Sequence, residues 1–174
     1  DIASERNHKE LSWRKTWYQG KSILPWEGYH HVFDKNGETS EAIDHSKHHY
    51  YLLTTDAYFR STLSHTPDGK LDKIIQENPL WQFIFYINAS PADSASIMNM
   101  LKRYDCIFPV ILDPEGDFLK VNSLENYTQI GFICNKEGKV LGVSTIGTTQ
   151  SIFDQEFRYA KHEAGQWLYN FTKV

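Results

Sequence analysis

The apolar positions of this chain change their period along its length, and each change marks an element. Residues 81–88, Trp-Gln-Phe-Ile-Phe-Tyr-Ile-Asn, are apolar at nearly every position and far too few to span a membrane. A short unbroken run of aromatic and β-branched residues predicts a strand buried on both faces. Ser90-Pro91-Ala92-Asp93 follows, with an N-cap residue, a proline suited to the first helical position and a carboxylate for the positive helix end. Ile97, Met100, Leu101 and Tyr104 then recur at helical spacing. A second apolar run, Phe108–Leu112, is closed by the turn Asp113-Pro114-Glu115-Gly116. Gly131–Cys134 and Val140–Val143 flank Asn135-Lys136-Glu137-Gly138, the pattern of a β-hairpin. Strand–helix–strand implies a parallel pair and the hairpin an antiparallel one, so the class is α/β with a mixed sheet covered by helices.

The flanking regions extend this pattern. Tyr50–Thr55 reads as a further strand. Thr66 and Pro67 open a helix with Leu71, Ile74 and Ile75 on its inner stripe, ended by Asn78-Pro79. Tyr29–Asp34 reads as a short strand, residues 35–46 as loop, and residues 4–20 as an amphipathic helix carrying Leu11, Arg14, Trp17 and Tyr18, with Gly20 as its stop. At the other end, Phe153, Phe157, Ala160, Ala164, Trp167 and Leu168 form the stripe of a closing helix that begins near Ser151.

The run from Lys102 through Phe108-Pro109-Val110-Ile111-Leu112-Asp113-Pro114-Glu115-Gly116 to Val121, followed by Gly131–Leu141, resembles the thioredoxin-like fold in its periplasmic TlpA/AhpC-TSA branch. The resemblance covers about residues 47–165 and is specific for fold more than for activity. It implies a three-layer domain over residues 47–174, with a central mixed sheet of about five strands, and residues 1–46 as an N-terminal extension packed on it. It also implies a Cys-x-x-Cys motif after the Tyr50–Thr55 strand. That stretch is Asp56-Ala57-Tyr58-Phe59-Arg60-Ser61, with Ala57 and Arg60 where the thiols belong. The family's cis-proline falls at Gln129 or Ile130, and neither is proline. With both landmarks gone, the resemblance implies a redox-inactive protein. The loop at Asp56–Arg60, with Gln129 and Ile130, would then bind an unidentified protein or peptide, since aromatics and Arg dominate binding surfaces. An exported, cell-envelope location and a lipid anchor upstream of Asp1 follow from the same likeness.

Two alternatives stay open. Cys106 and Cys134 are the only thiols, and a residual thiol–disulfide oxidoreductase or peroxiredoxin-like enzyme would have to use them. Their settings read as structural, because reactive thiols need electropositive, partly exposed surroundings. His30, His31, His45, His48 and His49 cluster in sequence and could hold a metal, but neighbouring residues on a strand face opposite ways and no cysteine accompanies them. No other catalytic motif and no cofactor fingerprint is present, so no cofactor is expected. A net charge of −4 without a Lys/Arg cluster argues against nucleic acid as a partner. No stretch is long and apolar enough for a transmembrane helix.

Overall fold

The computed structural model describes residues 18, 20–25, 31–40, 43–65, 70–124, 130–143 and 155–164. Its centre is a pair of parallel strands, β3 (His48–Thr55) and β4 (Trp81–Asn88), in register from His48 opposite Trp81 to Thr55 opposite Asn88. Their alternation explains the unbroken apolar runs. Tyr50, Leu52, Phe83, Phe85 and Ile87 enter one core, while Tyr51, Leu53, Ile84 and Tyr86 enter a second on the opposite side of the sheet.

Around this pair stand β1 (His31–Asp34), β2 (Gly37–Glu38), β5 (Val110–Leu112), β6 (Ile130–Cys134) and β7 (Val140–Val143). The spatial order is β2-β1-β5-β4-β3-β6-β7, with β3, β4 and β5 parallel and the other pairings antiparallel. The sheet thus has seven described strands where about five are expected. The surplus lies at one edge, where β1 pairs with β5 and then turns through Asn36-Gly37 into β2. Residues 35–46, read as loop, therefore contain a two-residue strand. A strand that short carries almost no periodic signal. The described part of residues 1–46 joins the domain through the sheet itself and through Tyr18 and Ile23, both buried in the second core.

Among the described residues five α-helices cover the sheet: α1 (Asp56–His65), α2 (Lys70–Glu77), α3 (Ser94–Arg103), the short α4 (Asp117–Val121) and α5 (155–164). The crossovers β3–α1–α2–β4 and β4–α3–β5 step the same way along the sheet, so parallel connections of one hand place their helices side by side on one face. The first core accordingly gathers Phe59 and Leu63 from α1, Leu71 from α2, Ile97, Met100 and Leu101 from α3, and Phe157 and Ala160 from α5. Phe118 of α4 fills the other face, its ring stacked on Tyr86 at 4.3 Å between centroids. Ile97, Met100 and Leu101 of the predicted α3 stripe, and Phe157 and Ala160 of the predicted C-terminal stripe, face inward as read. Phe153, Trp167, Leu168 and most of the predicted N-terminal helix lie outside the described residues, as do Thr66 and Pro67.

The turn after β5 depends on Asp113. Its carboxylate is fully buried and accepts the backbone N–H groups of Asp117 at 2.8 Å and Phe118 at 3.0 Å, the first donors of α4. Gly116 precedes them at φ +66°, a left-handed conformation that glycine adopts without strain. Asp113→Ala would leave two helix-end donors without an acceptor. The expected loss is about 2–3 kcal/mol by urea denaturation, with Asp113→Asn near half of it.

Candidate functional site

In α/β sheets the chemistry gathers beyond the carboxyl ends of the parallel strands. Here β3 ends at Thr55 and α1 starts at the very next residue. The stretch Asp56–Arg60, expected as a loop, is instead the first turn and a half of a helix. Thr55 caps it, its hydroxyl accepting the Tyr58 N–H at 3.3 Å, and the Asp56 carboxylate accepts the Ala57 N–H at 2.8 Å. Short polar side chains that satisfy orphan donors favour an immediate helix start.

Helical geometry then sorts the candidates. Phe59 turns inward and is fully buried against Phe85 and Phe108, with ring centroids at 5.5 and 6.2 Å. It is a core residue and not part of a binding surface. Ala57, Tyr58 and Arg60 face solvent, Tyr58 with half of its surface exposed. Ile130 opens β6, buried and paired with Leu53, while Gln129 lies outside the described residues. Among the described residues, the exposed surface at this end includes Asp56, Ala57, Tyr58, Arg60 and Asn88, with Asn88 opposite Thr55 on the adjacent strand.

Neither cysteine reaches this end as a nucleophile. Cys106 is buried in the first core and Cys134 in the second, so the sheet separates them and they cannot act as attacker and resolver. Burial pushes the Cys106 thiol up to about 12, helped by the carboxylates of Asp72 and Asp105 and opposed by Lys35. Burial alone drives the Cys134 thiol still further up. Both shifts favour the protonated thiol at neutral pH, and buried, protonated thiols are the setting of structural cysteines.

The histidines do not converge. His48 faces one way, its Nδ1 accepting the Lys136 N–H at 3.0 Å and its ring 5.0 Å from that of Trp81. His49 faces the other, with Nε2 2.9 Å from the Asp44 carbonyl and its ring stacked on Tyr51. His31 stacks on Phe33 in β1, and His30 lies outside the described residues. Among the described residues no group of three or more His, Cys, Asp or Glu side chains is placed to hold a metal ion. Burial lowers the pKa of both His48 and His49, so each is held neutral.

One assembly was not legible in the sequence. Arg60 of α1, Ser96, Asn99, Met100 and Arg103 along α3 and Tyr104 just beyond it line a solvent-open groove of about 350 Å³. Residues 60 and 103 are far apart along the chain, and no local motif joins them. The signal available was topological: two successive crossovers of one hand put their helices next to each other.

No protein-family model matches the sequence, and no curated protein matches it. Solved structures do match the fold. A Bacteroides thetaiotaomicron protein assigned as a protein disulfide isomerase superposes with a TM-score of 0.60 at 13% identity, over 87% of this chain and 94% of its own. The mitochondrial 2-Cys peroxiredoxin of Plasmodium falciparum gives 0.59 at 16% identity, over 85% and 97%. A Chlorobium tepidum protein assigned as the thiol:disulfide interchange protein DsbE gives 0.58 at 15%, over 82% and 96%. The fold is thioredoxin-like, as the resemblance implied.

Two measurements check this account. Both thiols are expected to resist a chromogenic disulfide reagent in the native protein and to react fully once it is denatured. Stability should also fall on acidification: the unfolded chain takes up protons on its histidines near the ordinary value of about 6.5, whereas folded His48 and His49 resist until lower pH. The urea midpoint is therefore expected to drop between about pH 7 and about pH 5. The drop should be smaller in His48→Asn, whose side-chain carbonyl can accept the Lys136 N–H at either pH.

Proposed function

We propose that this thioredoxin-like domain acts by binding a protein or peptide partner and not by thiol–disulfide exchange. The observation that carries the reading is the start of α1. In this fold a redox thiol works there because a helix N-terminus favours the thiolate. Here that position holds exposed Ala57, between the carboxylate of Asp56 and the ring of Tyr58, and no sulfur. The two thiols are buried on opposite sides of the sheet, which argues against a residual oxidoreductase or a peroxidase. Tyr58 offers a large half-exposed ring at the end of the molecule where other ligands of α/β folds are met. Following the branch that the sequence resembles, the same reading places the protein in the bacterial cell envelope. No helix of the described residues is long and apolar enough to cross a membrane.

The test is reduction of insulin and of hydrogen peroxide by the purified protein with a thiol reductant. No turnover above the reductant alone is expected. A gain is expected in the double variant Ala57→Cys, Arg60→Cys, which rebuilds the spacing of the motif at an exposed helix start. Turnover by the unmodified chain that is lost in Cys106→Ser or Cys134→Ser overturns the proposal.

A further inference from the structure

The groove between α1 and α3 has a composition that the binding reading does not use. Among the described residues its charged lining is two guanidinium groups, Arg60 and Arg103, with no carboxylate. Ser96, Asn99 and Arg103 succeed one another at i, i+3 and i+7, so a hydroxyl, an amide and a guanidinium lie in one row along α3, facing Arg60 across the groove. Among the described residues neither arginine forms a salt bridge. On a chain of net charge −4, two arginines without a carboxylate partner in one concavity make a local positive site.

The remaining lining is also ordered. The Arg103 guanidinium lies 5.8 Å from the centroid of the Tyr104 ring, a cation–π contact that holds it without neutralising it. Met100 is buried in the core beneath and forms the apolar floor. Both arginines sit on helices fixed by core residues of the same face, Phe59 and Leu63 beside Arg60 and Ile97 and Leu101 beside Arg103. Planar guanidinium forks favour carboxylate and phosphate oxygens, and donors on rigid elements hold their geometry. The volume of about 350 Å³ is at the small-molecule end of the usual range and exceeds what an inorganic ion fills.

We propose that the α1–α3 groove binds the oxyanion of a small organic solute, a phosphate or a carboxylate, between Arg60 and Arg103, with Ser96 and Asn99 as neutral donors. The site shares Arg60 with the surface discussed above but stands on the groove alone. Thiol turnover would remove the binding reading and leave this one intact.

The experiment is calorimetric titration of the full chain at constant ionic strength with three probes: inorganic phosphate, phenyl phosphate and succinate. Saturable binding of at least one probe is expected, weakened about tenfold or more by either Arg60→Gln or Arg103→Gln. Binding of the phosphates alone assigns the solute as a phosphate ester, and binding of succinate alone assigns it as a carboxylate. Both variants change solvent-exposed side chains, and their circular dichroism and urea midpoints should match those of the unmodified protein. Absence of saturable binding for all three probes into the tens of millimolar overturns the proposal, as does unchanged affinity when Arg60→Gln and Arg103→Gln are combined.

Discussion

Two adjacent strands buried on both faces are the constraint to which everything else conforms. β3 and β4 pair along their whole length, and almost none of their side chains meets water. Such strands give up the alternation of polar and apolar residues that normally fixes register, because a slip by one residue would still bury apolar groups. Here the ends of the ladder supply the missing information. His48 meets Trp81 at one rim and Thr55 meets Asn88 at the other, each with a polar member that belongs at a solvent boundary. Volume adds to this. The face that receives Phe118 presents Tyr51 and Tyr86, and the opposite face presents Phe83 and Phe85 to the rings of Phe157, Phe59 and Phe108. Exchanging the faces would put the wrong shapes together even where hydrophobicity is equal.

The same constraint sets what the surface can offer. With the sheet sealed on both sides, chemistry has to lie at the strand ends or between the covering helices. At the end of β3 the backbone passes straight into α1, so its first turn presents Ala57, Tyr58 and Arg60 outward and sends Phe59 inward. The cysteines follow the opposite logic. Each sits where a small apolar side chain completes a core, and burial is what raises the Cys134 thiol.

Much of this architecture is legible in the sequence, for identifiable reasons. The runs at 81–88 and 108–112, the stripe Ile97–Met100–Leu101 and the Asn135–Gly138 turn each carry a strong periodic or turn signal, and each became the element it predicted. The part that was not legible lacks such a signal. β2 is two residues long. α4 is five, and its start depends on a carboxylate that reads in sequence as one more turn residue. The first turn of α1 is ambiguous in sequence because Thr55-Asp56 can open either a loop or a helix, and only the tertiary position of Phe59 decides between them. The arginine groove depends wholly on which helices become neighbours.

The short segment 20–23 has an effect out of proportion to its length. It runs beside the last strand, with Gly20 donating to the Val140 carbonyl at 2.9 Å, Val140 to Lys21 at 2.8 Å and Ile23 to Gly138 at 2.8 Å. The fit is close enough that a Cβ on Gly138 would come within 2.7 Å of the Ile23 carbonyl oxygen. The rim of a sheet is where one chain can template another, and self-association by strand addition is the ordinary hazard of leaving it bare. In this molecule residues 20–23 take up the backbone groups of Gly138 and Val140 at that rim, so those groups are already paired and are closed to strand addition by another chain.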